Sequence, residues 1–297
     1  MKLNQLKLYG LRTKKDVLML CNISEEYYLQ AIKNSYNPYP KYIKGKKRLI
    51  EEPNDDLKLI QKILLNFLQE LDCPAYCQSN WKGKSNIKNA EIHTKRLDTV
   101  TLDISHFYPN TKVKYVEQFF SERLNITGEA LETIISLTTY DGHVPTGAVT
   151  SPILAFFAHQ PIFNKIYRKM QNNGITMTLY VDDITLSSEK HMGNWVILYC
   201  KQALKIHGLW LKRAKIKRFG YKYSWITGVR INQAGKMLVP FDKDYEIIKL
   251  LKEKPIKEMS LTELRKLIAK IGYIRQISPN RFTVTKLKLI KRLKEVA

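Results

Sequence analysis

The sequence predicts an α+β chain, on three observations. Helical patterns fill its first thirty residues and most of its last sixty. Two β-branched runs, 99–104 and 176–188, lie between them, and each carries acids. Its 297 residues, 44% of them hydrophobic, are enough for two subdomains with a real core. Strand runs and helical patterns in one chain of this size are read as an α+β fold.

Charge narrows the class of partner. Lys and Arg number 50 against 27 acids, a formal net charge of +23. With a pI near 9.7 this is the balance of a nucleic-acid binder, or else of a generally basic soluble protein or a membrane-surface binder. No apolar run approaches the roughly 20 residues of a membrane span, so no membrane partner is expected. The start, Met1-Lys2-Leu3-Asn4-Gln5, has no signal-peptide core. Cys21, Cys73, Cys77 and Cys200 have neither zinc spacing nor a disulfide framework, so a reduced, cytoplasmic protein is expected.

In order along the chain, Thr13-Lys14-Lys15-Asp16 and Ser24-Glu25-Glu26 each start a helix, with Ser24 as an N-cap. Residues 34–40 are rich in turn formers. Residues 42–53 read as a hairpin: Gly45 at the turn, then Lys46, Lys47 and Arg48. Those cations serve either a solvated face or a phosphate group. Residues 57–71 have the apolar period of a core helix. Residues 83–93 read as a loop and a short helix, where a lone His93 is more often a structural hydrogen bonder than a ligand.

Asp103 stands in the strand run Thr99-Val100-Thr101-Leu102-Asp103-Ile104, where a lone acid is costly to bury unpartnered. Farther on, Ser151 and Pro152 suit the start of a helix that Pro161 should kink or break and that Asn172-Asn173-Gly174 should stop. Then Thr176-Met177-Thr178-Leu179-Tyr180-Val181-Asp182-Asp183-Ile184 reads as a hairpin with Asp182-Asp183 at its tip. Neither acid is the Gly such a turn favours, and adjacent carboxylates repel. The pair is either an acidic surface turn or a divalent-metal site. If the two strands are neighbours, Asp103 joins the pair, and three carboxylates suit Mg²⁺.

Residues 194–207 form a helix ending at Gly208. Basic and aromatic residues then interleave from Lys217 and Arg218 through Lys222 and Tyr223 to Trp225, suiting phosphates and stacked bases or else a half-buried hairpin with a solvated face. Asn232-Gln233-Ala234-Gly235 turns a further hairpin. Residues 245–254, 260–274 and 283–296 read as three helices, the last one basic through Lys288 and Arg292.

Two boxes carry a resemblance. Tyr180-Val181-Asp182-Asp183 resembles the signature box of reverse transcriptases, and Leu102-Asp103-Ile104-Ser105-His106-Phe107-Tyr108 resembles their first-aspartate box. The type resembled is the bacterial retron one. Asn89-Ala90-x-x-His93 is similar to an element those enzymes carry before the first aspartate, and Ile226-Thr227-Gly228 to their Val-Thr-Gly element. Val144-Pro145-Thr146-Gly147 through Ser151-Pro152 is similar to a Pro-Gln-Gly box, with Thr146 for Gln and, later, Phe156 for Asn. Leu209-Trp210-Leu211-Lys212 through Lys215 is similar to a Gly-Leu-x-Leu-Asn-x-x-Lys box, with Lys212 for Asn.

The resemblance implies a right-hand polymerase fold, with fingers and palm over 1–235 and a helical thumb over 236–297. It implies RNA-templated DNA synthesis with two Mg²⁺ held by Asp103, Asp182, Asp183 and the Ile104 backbone. Lys47, Arg48, Thr146, Gly147 and Lys215 would hold the nucleotide, and Tyr108 would screen its sugar unless it is a plain core residue. Asn89, His93, Lys217, Arg218, Lys222, Thr227, Gly228, Lys288 and Arg292 would contact RNA. The implied partners are deoxynucleoside triphosphates, a dedicated structured noncoding RNA and its branched RNA–DNA product, and an effector protein in anti-phage defence. Another bacterial reverse transcriptase class, of group II intron or abortive-infection type, and an inert RNA-binding scaffold stay open as alternatives.

Overall fold

A computed structural model describes residues 3–43, 45–95, 98–220 and 223–296. In chain order its elements are α1 (Lys14–Cys21), α2 (Glu25–Ile32), β1 (Tyr36–Ile43), β2 (Lys46–Pro53), α3 (Asp55–Gln69), α4 (Asn86–Glu91), β3 (Asp98–Ser105), α5 (Phe107–Asn110), α6 (Val113–Gln118), α7 (Glu129–Thr138), α8 (Ser151–Gln171), β4 (Thr176–Tyr180), β5 (Asp183–Ser188), α9 (Trp195–Ile206), β6 (Trp210–Leu211), β7 (Lys217–Phe219), β8 (Tyr223–Ile226), β9 (Val229–Asn232), β10 (Met237–Leu238), α10 (Phe241–Glu253), α11 (Leu261–Ile277) and α12 (Thr283–Val296). Helices joined to antiparallel pairs make this an α+β fold.

The chain divides into two compact units. One comprises residues 1–83, 102–184 and 193–216, the other 84–101, 185–192 and 217–297. This grouping follows a different line from a fingers-and-palm segment ending at 235.

In the first unit, α3 is capped by Asn54, whose side chain accepts from Leu57 N. It buries Leu57, Ile60, Leu64 and Leu68 along one stripe. The long α8 buries Phe156, Phe157 and Phe163. Phe156 meets Trp81 edge-on at 5.3 Å, so the Asn of the resembled box is replaced by a core ring. The helix runs unbroken through Pro161. Of the kink or break expected at Pro161, a break does not occur. Ser151 lies inside the helix rather than at its cap, and its hydroxyl donates back to Pro145 O at 2.6 Å.

β1 and β2 form a two-stranded antiparallel sheet, with Tyr42 opposite Lys47 and Lys41 opposite Arg48. The first strand begins at Tyr36, inside the stretch read as turn-forming. Pro38 and Pro40 are tolerated because both strands are edges.

A five-stranded sheet follows the order β4-β5-β3-β6, with β7 also beside β3. Its middle strand, β3, is buried along most of its length. A run such as Val100-Thr101-Leu102 fits that place.

In the second unit, β10, β9 and β8 form a three-stranded antiparallel sheet. Ile226, Val229 and Ile231 pack there with Ile87, Ala90 and Ile277. α10, α11 and α12 surround a core of Ile247, Leu264, Leu267, Ile271, Ile274 and Leu289. Ser260 and Glu263 close a capping box at the start of α11. The three expected helices are all present, and two of them start or end a few residues beyond the expected limits.

Candidate active site

All of the acids singled out above lie in the first unit. The β4–β5 turn consists of Val181 and Asp182, and Asp183 opens β5. The tip is therefore displaced by one residue from Asp182-Asp183. Val181 adopts φ 56°, a left-handed conformation that a β-branched residue rarely takes. Positive φ at the first turn residue is the type II′ pattern, where Gly is usual. The conformation is held from outside. Residues 76–79 run beside β4, with Gln78 N donating to Leu179 O at 2.9 Å. This carries Ser79 to the turn, and its Oγ accepts from Val181 N at 3.0 Å. Such strain costs about 1–3 kcal/mol and gathers at functional sites. Nothing local in the sequence marks Ser79.

Backbone pairing sets Asp103 beside the turn. Ile104 N donates to Asp182 O, and Lys212 N donates to Asp103 O, each at 2.9 Å. Asp103 is buried, and Lys215 closes an ion pair on its Oδ2. Burial raises the pKa of Asp182, and the charge of Asp103 adds to the effect. Asp183 is pushed up to about 7, by burial first and then by Asp182 and Asp103. Burial works against the Lys215 ammonium, but its hydrogen bond to Asp103 and the charges of all three acids outweigh that, so its pKa is raised.

The three carboxylates thus share one field but do not yet form a cage. Among the described residues no three acidic, His or Cys side chains converge on a common point. Repulsion spreads them, and Lys215 draws Asp103 to itself. Hard oxygen donors and unrelieved negative charge fit a divalent cation.

Other candidates gather around this field. Arg48 is exposed on β2, and its charge acts on Asp182. Lys47 is its neighbour on the strand, so the two project to opposite faces, and only Arg48 has this reach. Tyr108 is half-buried, packs 5.7 Å from Phe107, and has its pKa raised by burial and by the charge of Asp182.

The Thr146–Gly147 loop is locked to β2. Glu51 N donates to Thr146 O, and Thr146 N donates to Glu51 Oε2, both at 2.7 Å. His143 Nε2 lies 3.0 Å from Glu51 Oε1. Gly147, at φ 143°, approaches so closely that a Cβ would lie 2.8 Å from Glu51 O. Sequence reading missed Glu51 and His143. An acid buried at the foot of a basic hairpin was the available signal.

The expected RNA contacts belong to the second unit, and there the structure corrects several of them. Asn89 and His93 are fully buried and cannot touch RNA directly. Asn89 Nδ2 donates to Thr227 Oγ1 at 3.2 Å, and His93 Nδ1 shares a 2.6 Å hydrogen bond with Ser187. Thr227, at φ 43°, donates to Asn86 O at 3.0 Å, so α4 braces the β8–β9 turn that ends in Gly228. Arg218 is likewise engaged, by Asp98 Oδ2 at 2.9 Å and by Met192 O at 2.5 Å. Arg292 binds Glu295 and Lys257 O. Lys217 and Lys288 remain exposed, and Gly228 is exposed at its turn. Lys222 lies outside the described residues. Tyr223 and Trp225 alternate outward along β8, with Arg230 stacked 4.9 Å over the Tyr223 ring.

Comparison with known proteins gives consistent matches. Residues 33–231 match the family described as reverse transcriptase (RNA-dependent DNA polymerase). The chain is 31% identical over 153 residues to the Retron Se72 reverse transcriptase of Salmonella heidelberg, covering 50% of this chain and 40% of that protein. It is 28% identical over 211 residues to the Retron Ec48 reverse transcriptase of Escherichia coli, covering 66% and 50%. With the Retron Ec73 reverse transcriptase of Escherichia coli it is 27% identical over 274 residues, covering 84% and 85%. The chain thus spans about half the length of the first two relatives or less, and most of the third. Domains of this family use divalent metal ions. No described helix is long and apolar enough to cross a membrane.

Proposed function

The chain belongs to the reverse transcriptase family, and we propose that it is the RNA-directed DNA polymerase of a retron. It would copy part of a dedicated structured noncoding RNA into a branched RNA–DNA product, in the cytoplasm and beside an effector protein of an anti-phage system. The relatives named as retron enzymes support this reading. The observation that carries it is the one field shared by buried Asp103 and half-buried Asp182 and Asp183, with Lys215 paired to Asp103 and the charge of Arg48 acting on Asp182.

In this reading Asp103, Asp182, Asp183 and the Ile104 carbonyl would hold two Mg²⁺. These ions would activate the attacking 3′ hydroxyl and offset charge on the leaving pyrophosphate. Arg48, with Lys47 in support, binds the triphosphate. Lys215 gives up Asp103 as the nucleotide enters and neutralises or protonates the leaving group. The Tyr108 ring lies under the sugar and excludes a ribose 2′-OH. Thr146 and Gly147 pack against the nucleotide through the loop that Glu51 holds. Residues 1–235 act as fingers and palm and 236–297 as thumb. Lys217, Thr227, Gly228 and Lys288 track the RNA, while Asn89 braces the turn that meets it.

The test is nucleotide incorporation on an RNA template by the wild type and by an Asp182→Asn, Asp183→Asn double variant. Incorporation by the wild type alone supports the assignment, and incorporation by both sinks it. A product whose branch yields to a debranching enzyme separates the retron reading from a plain primer-extending reverse transcriptase.

A further inference from the structure

A second basic feature of the first unit shares no residue with the acidic site. Arg123, Gln160, Pro161, Asn164, Lys165 and Arg168 line a cavity of about 500 Å³ along α8. Five of the six lie on α8, and Pro161, Asn164, Lys165 and Arg168 have the spacing of one helix face. No carboxylate lines the cavity.

Its polar groups are sorted by hydrogen bonding. Arg123 Nη1 donates to Gln160 Oε1. Tyr76 OH donates to Asn164 Oδ1 at 2.7 Å. Each amide oxygen is thereby engaged, and each NH₂ is left to donate. Gln160 is buried, so its orientation is fixed by these neighbours. Lys165 and Arg168 are exposed and make no ion pair among the described residues. The cavity therefore presents three cations and two amide donors.

Arg123 is held rigidly. Its guanidinium lies 5.6 Å from the Phe119 ring and 5.6 Å from the Phe157 ring. Those rings are themselves stacked at 4.7 Å. Burial lowers the pKa of Arg123, as expected of a cation kept among apolar groups, and an anion in the cavity would relieve that cost.

A donor-only cavity selects an anion. No aromatic ring lines it, so no base is stacked there, and no apolar anchor is present for a protein hot spot. Planar guanidinium and ammonium groups match phosphate oxygens. On a chain of net charge +23 the abundant phosphate carrier is nucleic acid. We propose that this cavity is a backbone-binding site that takes phosphodiester groups of RNA, independently of sequence and outside the acidic site. The proposal stands whether or not the acids polymerise DNA.

The experiment is fluorescence anisotropy with a labelled stem-loop RNA across a salt series. It compares the wild type with Lys165→Gln, Arg168→Gln and with a control, Lys15→Gln, Lys33→Gln, that loses the same charge elsewhere. The expected result is roughly tenfold weaker binding by the cavity variant at moderate salt, and a log–log salt slope shallower by about 1.4–1.8. The control should lose much less, and the melting temperatures of all three should agree. Equal losses in cavity variant and control would overturn the proposal, as would unchanged RNA affinity. Inorganic phosphate that raises the melting temperature of the wild type but not of the cavity variant, with RNA affinity unchanged, would mark a small-anion site and also overturn it.

Discussion

Asp183→Asn should make the metal-free protein more stable while abolishing synthesis. The Asp183 carboxyl is raised from 3.8 to about 7 in the folded chain. A raised folded pKa means that the native state holds its proton longer than the unfolded chain does. Stability is then complete below about pH 4 and is lost as pH rises through 7. At ~1.4 kcal/mol per pH unit, the ceiling of that loss is about 4 kcal/mol. Partial exposure and sharing of the charge with Asp182 and Asp103 reduce it to about 2 kcal/mol. Asn carries no charge and escapes the loss. At pH 8 in chelator the variant should melt about 4–8 °C above the wild type. At pH 5 the gap should shrink to less than half, because pH 5 lies early in the window between 3.8 and about 7 over which the loss accumulates. Adding MgCl₂ at pH 8 should raise the wild type more than the variant. The assay is a thermal melt by circular dichroism at both pH values. A variant that melts at or below the wild type at pH 8 in chelator would refute the view that these acids repel one another in a buried site.

Three further outcomes are expected. Gly147→Ala puts a Cβ 2.8 Å from Glu51 O and 3.1 Å from Ile50 Cγ2; it should cost about 1–3 kcal/mol and raise the KM for deoxynucleotides, and an unchanged melt and KM would show that the loop need not clasp β2. Tyr108→Ala should raise ribonucleotide use relative to deoxynucleotide use on one template, and an unchanged ratio would reduce Tyr108 to a core residue. Asn89→Ala leaves Thr227 short of a buried partner, so it should cost about 1–3 kcal/mol and speed amide exchange in the β8–β9 turn, whereas lost RNA affinity with exchange unchanged would restore a direct contact.

What the sequence made legible was what local rules control. A cap named the start of α2, and apolar period named α3. The acids of the two boxes were legible because an acid in a strand violates a local preference. The misreadings lie where tertiary structure overrides such rules. Val181 accepts a left-handed turn because Ser79, distant in sequence, holds its N–H. The helix does not break at Pro161, in a segment where Phe156, Phe157 and Phe163 are buried. The resemblance put Asn89 and His93 among RNA contacts, yet both are buried with internal partners, which for His93 is the structural hydrogen bonding its residue type suggested. Glu51 went unnoticed because its partners, His143 and Thr146, are more than ninety residues away.

The two prolines of β1 also bear on solubility. Glu51 N donates to Thr146 O, away from β1. Its register partner Pro38 therefore sits in a pair whose N–H positions face outward. Pro40, two residues on, repeats that orientation. The free edge of β1 thus lacks two of the donors on which a stray strand would zip. These prolines make the hairpin a poor template for self-association. Replacing both prolines would leave its ladder intact and open a docking edge for misassembly.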